Sequence, residues 1–215
     1  MKIKWLGHAT FLITSETGTR LITDPYATND RIKYGEIRES ADIVTVSHGH
    51  FDHNNVAAVT GNPEVVDEAA PTEVKGIKIE GIPAYHDTRQ GAERGSNIIF
   101  CLAIDGMRVC HLGDLGHSLG DKEIAEIGKV DILLIPVGGF FTIDAGTATE
   151  ICRQLAPKVI IPMHYKNNRC ELPISGVDDF LKGKQGINKL NTSEAEFSMA
   201  ELPGATQIFV LQPAL

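Results

Sequence analysis

Four apolar segments of the chain each end in a histidine or an aspartate, and this repeated pattern constrains the fold more than any other feature. The segments are ADIVTVSH, ending at His48, KIEGIPAYH at His86, MRVCHLGD at Asp114 and KVIIPMH at His164. Short runs rich in Val and Ile are typical of buried strands. Because active-site groups of α/β sheets collect beyond the carboxyl ends of strands, we expect these polar ends to lie together.

The first of these ends carries the densest group of polar side chains. The stretch SHGHFDHNN places His48, His50, Asp52 and His53 within six positions. In an extended turn, His48 and His50 point the same way by period-two alternation, while Asp52 and His53 can turn towards a second point. So many polar groups at the end of a buried strand cannot all satisfy one another, and metal ions would supply the missing partners. The stretch therefore predicts ligands for two metal ions.

Elsewhere the chain alternates short apolar runs with turns, which predicts more strands than helices. KIKWL, TFLIT and RLITD predict a β-meander near the start. The Asp105-Gly106 pair between NIIFCLAI and MRVC is typical of a two-residue hairpin turn. Further strands are expected over EVV, TEV, DILLIPVG and QIFVL. The predicted helices cover VAAVT, ATEICRQL with Asp144 as its cap, and VDDFLKGK. This mixture predicts an α/β (α+β) fold with layered, mixed sheets.

The length of the chain fits one domain. A chain of 215 residues can bury a substantial core without disulfides or metals as staples. Pro and Gly are spread along the sequence, and no low-complexity segment or short repeat marks a linker. We therefore predict a single domain over residues 1–215.

Composition argues against nucleic-acid and membrane partners. The formal net charge is -8, whereas binding to nucleic-acid backbones or anionic membranes requires clustered Lys and Arg. The longest apolar runs are shorter than the roughly 18 residues of a membrane span, and the first residues lack the features of a signal peptide. We expect a cytoplasmic protein that acts on a small molecule, either alone or as a homo-oligomer.

The order of the polar motifs resembles that of a known superfamily. A His-x-His-x-Asp-His signature, then a separate His, a Gly-Asp and a late His, is similar to the metallo-β-lactamase superfamily. Within it, WLGHATFLI, DPYATND and IPMHY are similar to the L-ascorbate-6-phosphate lactonase-like branch. The resemblance implies a four-layer αββα sandwich, in which two mixed β-sheets are flanked by helices and a dinuclear centre lies in a cleft along one edge.

The resemblance also implies a ligand set. One metal ion would be held by His48, His50 and His86, a second by Asp52, His53 and His164, with Asp114 bridging the two. His111 and His117 flank Asp114 and are alternatives to His86 as the third ligand of the first ion. His86 is preferred because it precedes Asp114 by one hairpin, which is the order of motifs in the superfamily.

This ligand set predicts hydrolytic chemistry. Neutral imidazoles and carboxylates suit two Zn2+ ions, and a site that contains oxygen ligands also accepts Mn2+ or Fe2+. Two cations that share a water lower its pKa towards neutrality and polarise the substrate oxygen. We expect a dinuclear metal-dependent hydrolase that uses a metal-bound hydroxide on an ester, lactone or phosphodiester bond of a small substrate with or without an anionic group.

Five further assignments concern catalysis and substrate binding. Asp52 and His8 are expected to take catalytic roles, His8 by binding substrate or moving a proton. His117 is expected to bind substrate, although a surface position is an equal alternative. Lys166 and Arg169 follow His164 closely and suit an anionic substrate group, although such a pair more often lies in a solvated loop.

Two other classes of function fit the same motifs. One is an iron redox enzyme of the same fold, such as the diiron flavoprotein oxidases or the persulfide dioxygenases. The oxidases place Glu where His50 stands and the dioxygenases use a single iron, so the complete set here favours hydrolysis. The other is a metal-binding protein without turnover, against which the full ligand set also argues.

Overall fold

A computed structural model describes residues 1–215 and contains two mixed β-sheets with a shared core between them. The first sheet is formed by β1 (Lys2–Gly7), β2 (Thr10–Thr14), β3 (Arg20–Thr23), β4 (Ile43–Thr45), β5 (Glu64–Val66) and β13 (Glu194–Glu196). Its strand order is β13-β1-β2-β3-β4-β5. The predicted meander is confirmed, because β1, β2 and β3 pair antiparallel, while β3, β4 and β5 pair parallel.

The second sheet has eight strands. They are β6 (Pro71–Val74), β7 (Ile77–Tyr85), β8 (Ser96–Ile104), β9 (Met107–His111), β10 (Ile132–Pro136), β11 (Val159–Met163), β12 (Ile187–Lys189) and β14 (Gln207–Val210). The order is β12-β14-β11-β10-β9-β8-β7-β6. The strands β9, β10, β11 and β14 run parallel to one another, so the carboxyl ends of β9 and β11 lie at the same edge.

Three α-helices accompany the sheets: α1 (Asp121–Ile127), α2 (Ala145–Leu155) and α3 (Val177–Leu181), with two 3₁₀ turns, Val56–Ala58 and Met199–Glu201. The predicted cap of α2 is confirmed, since Asp144 Oδ1 accepts the Thr147 backbone N–H at 2.8 Å. The prediction of an α-helix over VAAVT is wrong. Only the 3₁₀ turn forms, without a side-chain cap from Asn55. No helix has the length and apolar character needed to cross a membrane.

The first sheet buries both of its faces. In β3, Leu21 belongs to the core between the sheets, whereas Ile22 belongs to a second cluster with Tyr26 and Tyr34 of the loop that follows. β2 and β4 alternate in the same way, as the period-two geometry of a strand requires. The loop over residues 25–40 therefore covers the outer face of this sheet.

The β8–β9 hairpin has the predicted turn. Asp105 and Gly106 both have positive φ, 51° and 76°, as a two-residue turn of this type requires. This register places Cys101 opposite Cys110, with 3.5 Å between the sulfur atoms, and both are free thiols.

One α-helix and two strands were not predicted from the sequence: α1, β12 and β13. The segment that forms β13 has no apolar alternation, and it pairs with β1 through a register that places Glu196 opposite Lys2. Lys2 Nζ lies 3.1 Å from Glu196 Oε1. This edge strand is thus defined by its neighbour, not by its own residues.

Candidate metal centre

Five strands end at the same cluster of histidine and aspartate side chains. Each strand end or the turn after it contributes: Asp24 after β3, His48 to His53 after β4, His86 after β7, Asp114 after β9 and His164 after β11. The turn between β1 and β2 adds His8. The four segments singled out by their polar ends are therefore brought together in space.

One group of possible ligand atoms comes from His48, His50 and His86, which each offer one ring nitrogen, and these three nitrogens lie within 4.8 Å of one another. His48 Nε2 is 3.1 Å from His50 Nδ1. The rings of His50 and His86 have centroids 5.1 Å apart. These three imidazoles can converge on a single cation.

A second group consists of Asp52, His53, His164 and His8, and its ligand atoms again lie within 4.8 Å of one another. His53 Nε2 is 4.0 Å from Asp52 Oδ2. His53 and His164 stack, with their ring centroids 6.0 Å apart. His8 was expected to reach substrate, but its nearest contact in this group is with Asp52.

Asp114 lies between the two groups. Its Oδ2 is 3.2 Å from His53 Nε2, 3.3 Å from His86 Nε2 and 3.3 Å from His164 Nε2. His86 belongs to the first group, whereas His53 and His164 belong to the second. One carboxylate oxygen therefore contacts nitrogens of both groups.

The protonation states of Asp114 and His48 suit cation binding, whereas Asp114 and Asp24 overcome the effect of burial and raise the pKa of His53 well above its usual value. Burial disfavours the charged form of Asp114, but His164 and His53 outweigh it and hold the pKa of this carboxyl well below its usual range. Burial lowers the pKa of His48 to about 3. At neutral pH, Asp114 is therefore a carboxylate and His48 a neutral imidazole, the forms in which both residues bind metals.

The donor set fits a divalent cation. Five buried polar atoms of the cluster have no hydrogen-bond partner: His8 Nδ1, His53 Nε2, His86 Nδ1, Asp114 Oδ1 and His164 Nδ1. Buried polar groups are nearly always paired, because leaving them unpaired costs free energy. Imidazole nitrogens and carboxylate oxygens in this density are ligands of Zn2+ and related ions.

Asp24 is a residue of the cluster that the sequence interpretation missed. It is fully buried, and its Oδ2 accepts from His53 Nδ1 at 2.9 Å and from Ser47 Oγ at 2.5 Å. Ser47 Oγ in turn lies 3.0 Å from His48 Nδ1, which donates to it. Asp24 thus orients His53 directly and His48 through Ser47, with the proton of each ring on Nδ1. The Nε2 atom of each ring is left for a ligand. The available signal was RLITD, another apolar run that ends in an aspartate.

Asn97 and Gly113 position Asp114. Asn97 Oδ1 accepts the Asp114 backbone N–H at 2.9 Å, and Asn97 Nδ2 donates to Leu112 O at 3.0 Å. Gly113 has a φ of +55°, and a Cβ at this position would collide with Asn97 Oδ1. The signal for Asn97 was a polar residue at the start of an otherwise apolar strand.

Three residues of the cluster other than glycine adopt left-handed backbone conformations: His8 (φ 52°), Asp24 (φ 38°) and His164 (φ 49°). Such conformations are costly for residues with a Cβ and tend to occur at functional sites. The surrounding contacts maintain them here. For example, His8 O accepts from Trp5 Nε1 at 3.0 Å.

His8 is a buried member of the cluster that does not line the cleft. Its Nε2 donates to Asp52 Oδ2 over 3.2 Å, and its side chain is fully buried. Burial, helped by the nearby His164, lowers the pKa of His8 to about 4, so the ring is neutral at pH 7. His8 is not part of the cleft wall, so the structure gives it a contact with Asp52 and none with the open cleft.

The cluster opens into a cleft of about 330 Å³. Its wall is formed by His50, Phe51, Asp52, His86, Arg94, Asp114, Phe141, His164 and Leu172. A cleft of this size suits a small molecule. Arg94 is the one Lys or Arg in this wall, and sequence interpretation did not single it out.

The three residues expected to bind substrate lie outside the cleft wall. His117 accepts the Tyr85 backbone N–H at Nε2 and donates to Ser118 O through Nδ1, so both of its ring nitrogens are engaged. Lys166 is exposed and Arg169 half-buried in the loop after β11. Their roles in substrate binding stay predictions that this geometry does not support.

His111, the other alternative to His86, is engaged in hydrogen bonds. Its Nε2 donates to Ala9 O at 2.9 Å, and its Nδ1 accepts the Gly113 backbone N–H at 3.3 Å. Neither nitrogen is free for a metal ion. His86, by contrast, has its Nε2 beside Asp114.

Known proteins are similar to this chain over most of its length. The β-lactamase superfamily domain matches residues 2–164, a range that contains the whole cluster. A UPF0173 metal-dependent hydrolase of Carboxydothermus hydrogenoformans is 34% identical and covers 77% of this chain and 84% of its own length. Another, from Archaeoglobus fulgidus, is 32% identical and covers 85% of this chain and 90% of its own length.

A solved structure is similar over nearly the whole chain. It is a crystal structure from Thermotoga maritima, of a candidate Zn-dependent hydrolase of the metallo-β-lactamase superfamily. The two chains are 38% identical, with a TM-score of 0.81 and coverage of 98% of this chain and 97% of that one. The two mixed sheets and flanking helices described above are therefore also those of this relative.

Proposed function

We propose that this chain, which belongs to the metallo-β-lactamase superfamily and to its UPF0173 metal-dependent hydrolase family, hydrolyses a bond of a small molecule at a dinuclear metal centre. The bond is an ester, lactone or phosphodiester. The observation that carries the proposal is the position of Asp114, whose Oδ2 contacts nitrogens of both ligand groups at 3.2–3.3 Å.

The residues present would divide between two ions. His48, His50 and His86 would hold one ion, Asp52, His53 and His164 the other, and Asp114 would belong to both. Divalent cations bound there would supply an activated water and polarise the carbonyl or phosphoryl oxygen of the substrate. The chemistry of the ligands favours Zn2+, with Mn2+ and Fe2+ as alternatives.

Side chains of the chain itself would orient the groups and move the proton. Asp24 fixes the tautomers of His53 and, through Ser47, of His48. Asp52 lies in the cleft wall and can accept the proton that an attacking water releases. His8 Nε2, 3.2 Å from Asp52 Oδ2, holds that carboxylate in place.

Metal analysis combined with a hydrolysis screen tests the proposal. Protein purified without added metal is analysed for its metal content and then offered a lactone, a thioester and bis-p-nitrophenyl phosphate. We expect close to two ions per chain and turnover of at least one substrate class. The Asp114→Asn variant is expected to lose both metal and turnover.

Asp131→Asn is the matched control. Asp131 is also buried, but it accepts the Arg108 backbone N–H at the other end of β10. Unchanged metal content in Asp114→Asn would disprove the dinuclear assignment. Metal-loaded protein that turns over none of the substrates would argue for a binding protein, and a redox-active iron signal would favour an oxidative enzyme.

A further inference from the structure

We propose that Arg94 is the specificity-determining residue of the cleft and binds a carboxylate or phosphate group of a substrate whose apolar part contacts Phe141 and Leu172. The inference rests on the proposed function, since it concerns the same cleft. It assigns a substrate class, small anions with an apolar body, to that site.

The guanidinium of Arg94 is available for a ligand. It donates no hydrogen bond to the protein, and the one carboxylate within 4.0 Å is that of Glu93, with Nη1 3.9 Å from Oε2. Glu93 also pairs with Arg89, at 3.4 Å. The side chain of Arg94 is 33% exposed at the cleft wall. A planar guanidinium with unused donors is suited to a two-point contact with carboxylate or phosphate.

The loop that carries Arg94 is held rigidly beside the ligand cluster. The carboxylate of Asp87, the residue after His86, accepts four backbone N–H groups of the loop, among them that of Arg94 at 2.7 Å. The loop is closed by the His86 backbone N–H, which donates to Gly95 O at 3.0 Å. The backbone at Arg94 therefore needs little ordering when a ligand binds, and such preorganisation favours affinity.

The rest of the cleft wall indicates the remainder of the ligand. The carboxylates of the wall, Asp52 and Asp114, are both assigned to metal ions, so Arg94 is the charged group left for substrate. Phe141 lies against it, with the guanidinium carbon 5.8 Å from the ring centroid. Leu172 and the exposed Phe51 add apolar surface. An anionic group next to a short apolar body matches this arrangement within about 330 Å³.

Calorimetric binding of two probes tests the inference without requiring turnover. The probes are 3-phenylpropanoate and its neutral amide, 3-phenylpropanamide, and the protein is zinc-loaded with its metal content measured. Arg94→Gln is compared with Arg89→Gln, which removes the same charge from an exposed position of the same loop. We expect Arg94→Gln to weaken binding of the acid roughly tenfold or more. Binding of the amide, and all binding by Arg89→Gln, should stay as in the unaltered protein.

Every other outcome overturns the inference. Arg94→Gln and the unaltered protein could bind the acid with equal affinity, or the unaltered protein could fail to bind it. Arg94→Gln could lose affinity for the acid and the amide to the same extent, or Arg89→Gln could lose as much affinity for the acid as Arg94→Gln does. Because the assay measures binding alone, a protein that hydrolyses nothing can still support the role of Arg94. Conversely, hydrolysis of neutral esters with no effect of Arg94→Gln would leave the proposed function intact.

Discussion

Asp24 Oδ2 lies 2.9 Å from His53 Nδ1, and both side chains are completely buried. The two residues follow neighbouring parallel strands and are 29 positions apart. Through Ser47 Oγ the same oxygen also reaches His48. One carboxylate therefore sets the orientation of a histidine in each of the two proposed metal sites.

Asp24→Asn is expected to weaken metal binding without removing a ligand. The amide is a poorer acceptor for His53 Nδ1–H and lowers the basicity of the ring, so affinity for Zn2+ should fall roughly tenfold to one-hundredfold. Competition with a chromophoric chelator measures this. Asp42→Asn is the control, since its carboxylate accepts a backbone N–H of Arg20 away from the cluster. Equal zinc affinity in both variants would contradict the role given to Asp24.

His8→Gln distinguishes a positioning residue from a metal ligand. Because His8 Nε2 donates to Asp52, the variant should keep its metal content but lose roughly one-hundredfold in kcat. Metal analysis and steady-state kinetics on the same preparation give both quantities. Loss of one ion per chain would instead make His8 a ligand of the second group, whose ligand atoms it lies among.

Asp144→Ala should destabilise the protein through α2. Its side chain caps the helix by accepting the Thr147 N–H, and loss of such a cap costs about 1 kcal/mol. Urea denaturation followed by circular dichroism measures the free energy of unfolding. Asp178→Ala in α3 is the comparison, because Asp178 pairs only with the exposed Lys189 and should contribute little. Equal effects of the two substitutions would show that the cap is not what stabilises α2.

The ion pairs of Glu39 should make stability depend on pH. The hydrogen bond from Lys4 lowers the pKa of Glu39 below its usual 4.5, with a further contribution from Arg20. The stabilisation is therefore complete above the unfolded-state pKa and is lost as the pH falls through the folded-state pKa. We expect Glu39→Gln to lower the free energy of unfolding by about 1 kcal/mol at pH 7 and to leave it unchanged at pH values below the folded-state pKa of Glu39.

Urea denaturation at a series of pH values checks this dependence. Glu36→Gln is the matched control, since Glu36 contacts only Arg38 and both side chains are largely exposed. A cost for Glu39→Gln that does not change with pH would show that it arises from packing and not from charge.

Most of the strands could be predicted because their own residues specify them. Alternation in β7 and the continuous apolar runs of β10 and β11 are local signals, as is the Asp-Gly turn after β8. β13 could not be predicted in this way, since it forms by pairing with β1. The helix predicted over VAAVT was wrong because the apolar run before Gly61 is too short to complete an α-helix.

The metal-binding residues and their place after buried strands could be recognised without a structure, because both properties are local: side-chain chemistry and the pattern of apolar residues. The way in which these residues meet became visible only in the folded chain. Asp114 contacts three histidines from three separate segments, Asp24 pairs with His53 after a neighbouring strand, and Arg94 lies over Phe141 of another loop. Such contacts depend on strand order and register, which sum many weak interactions along the whole chain and leave no signature in any one segment.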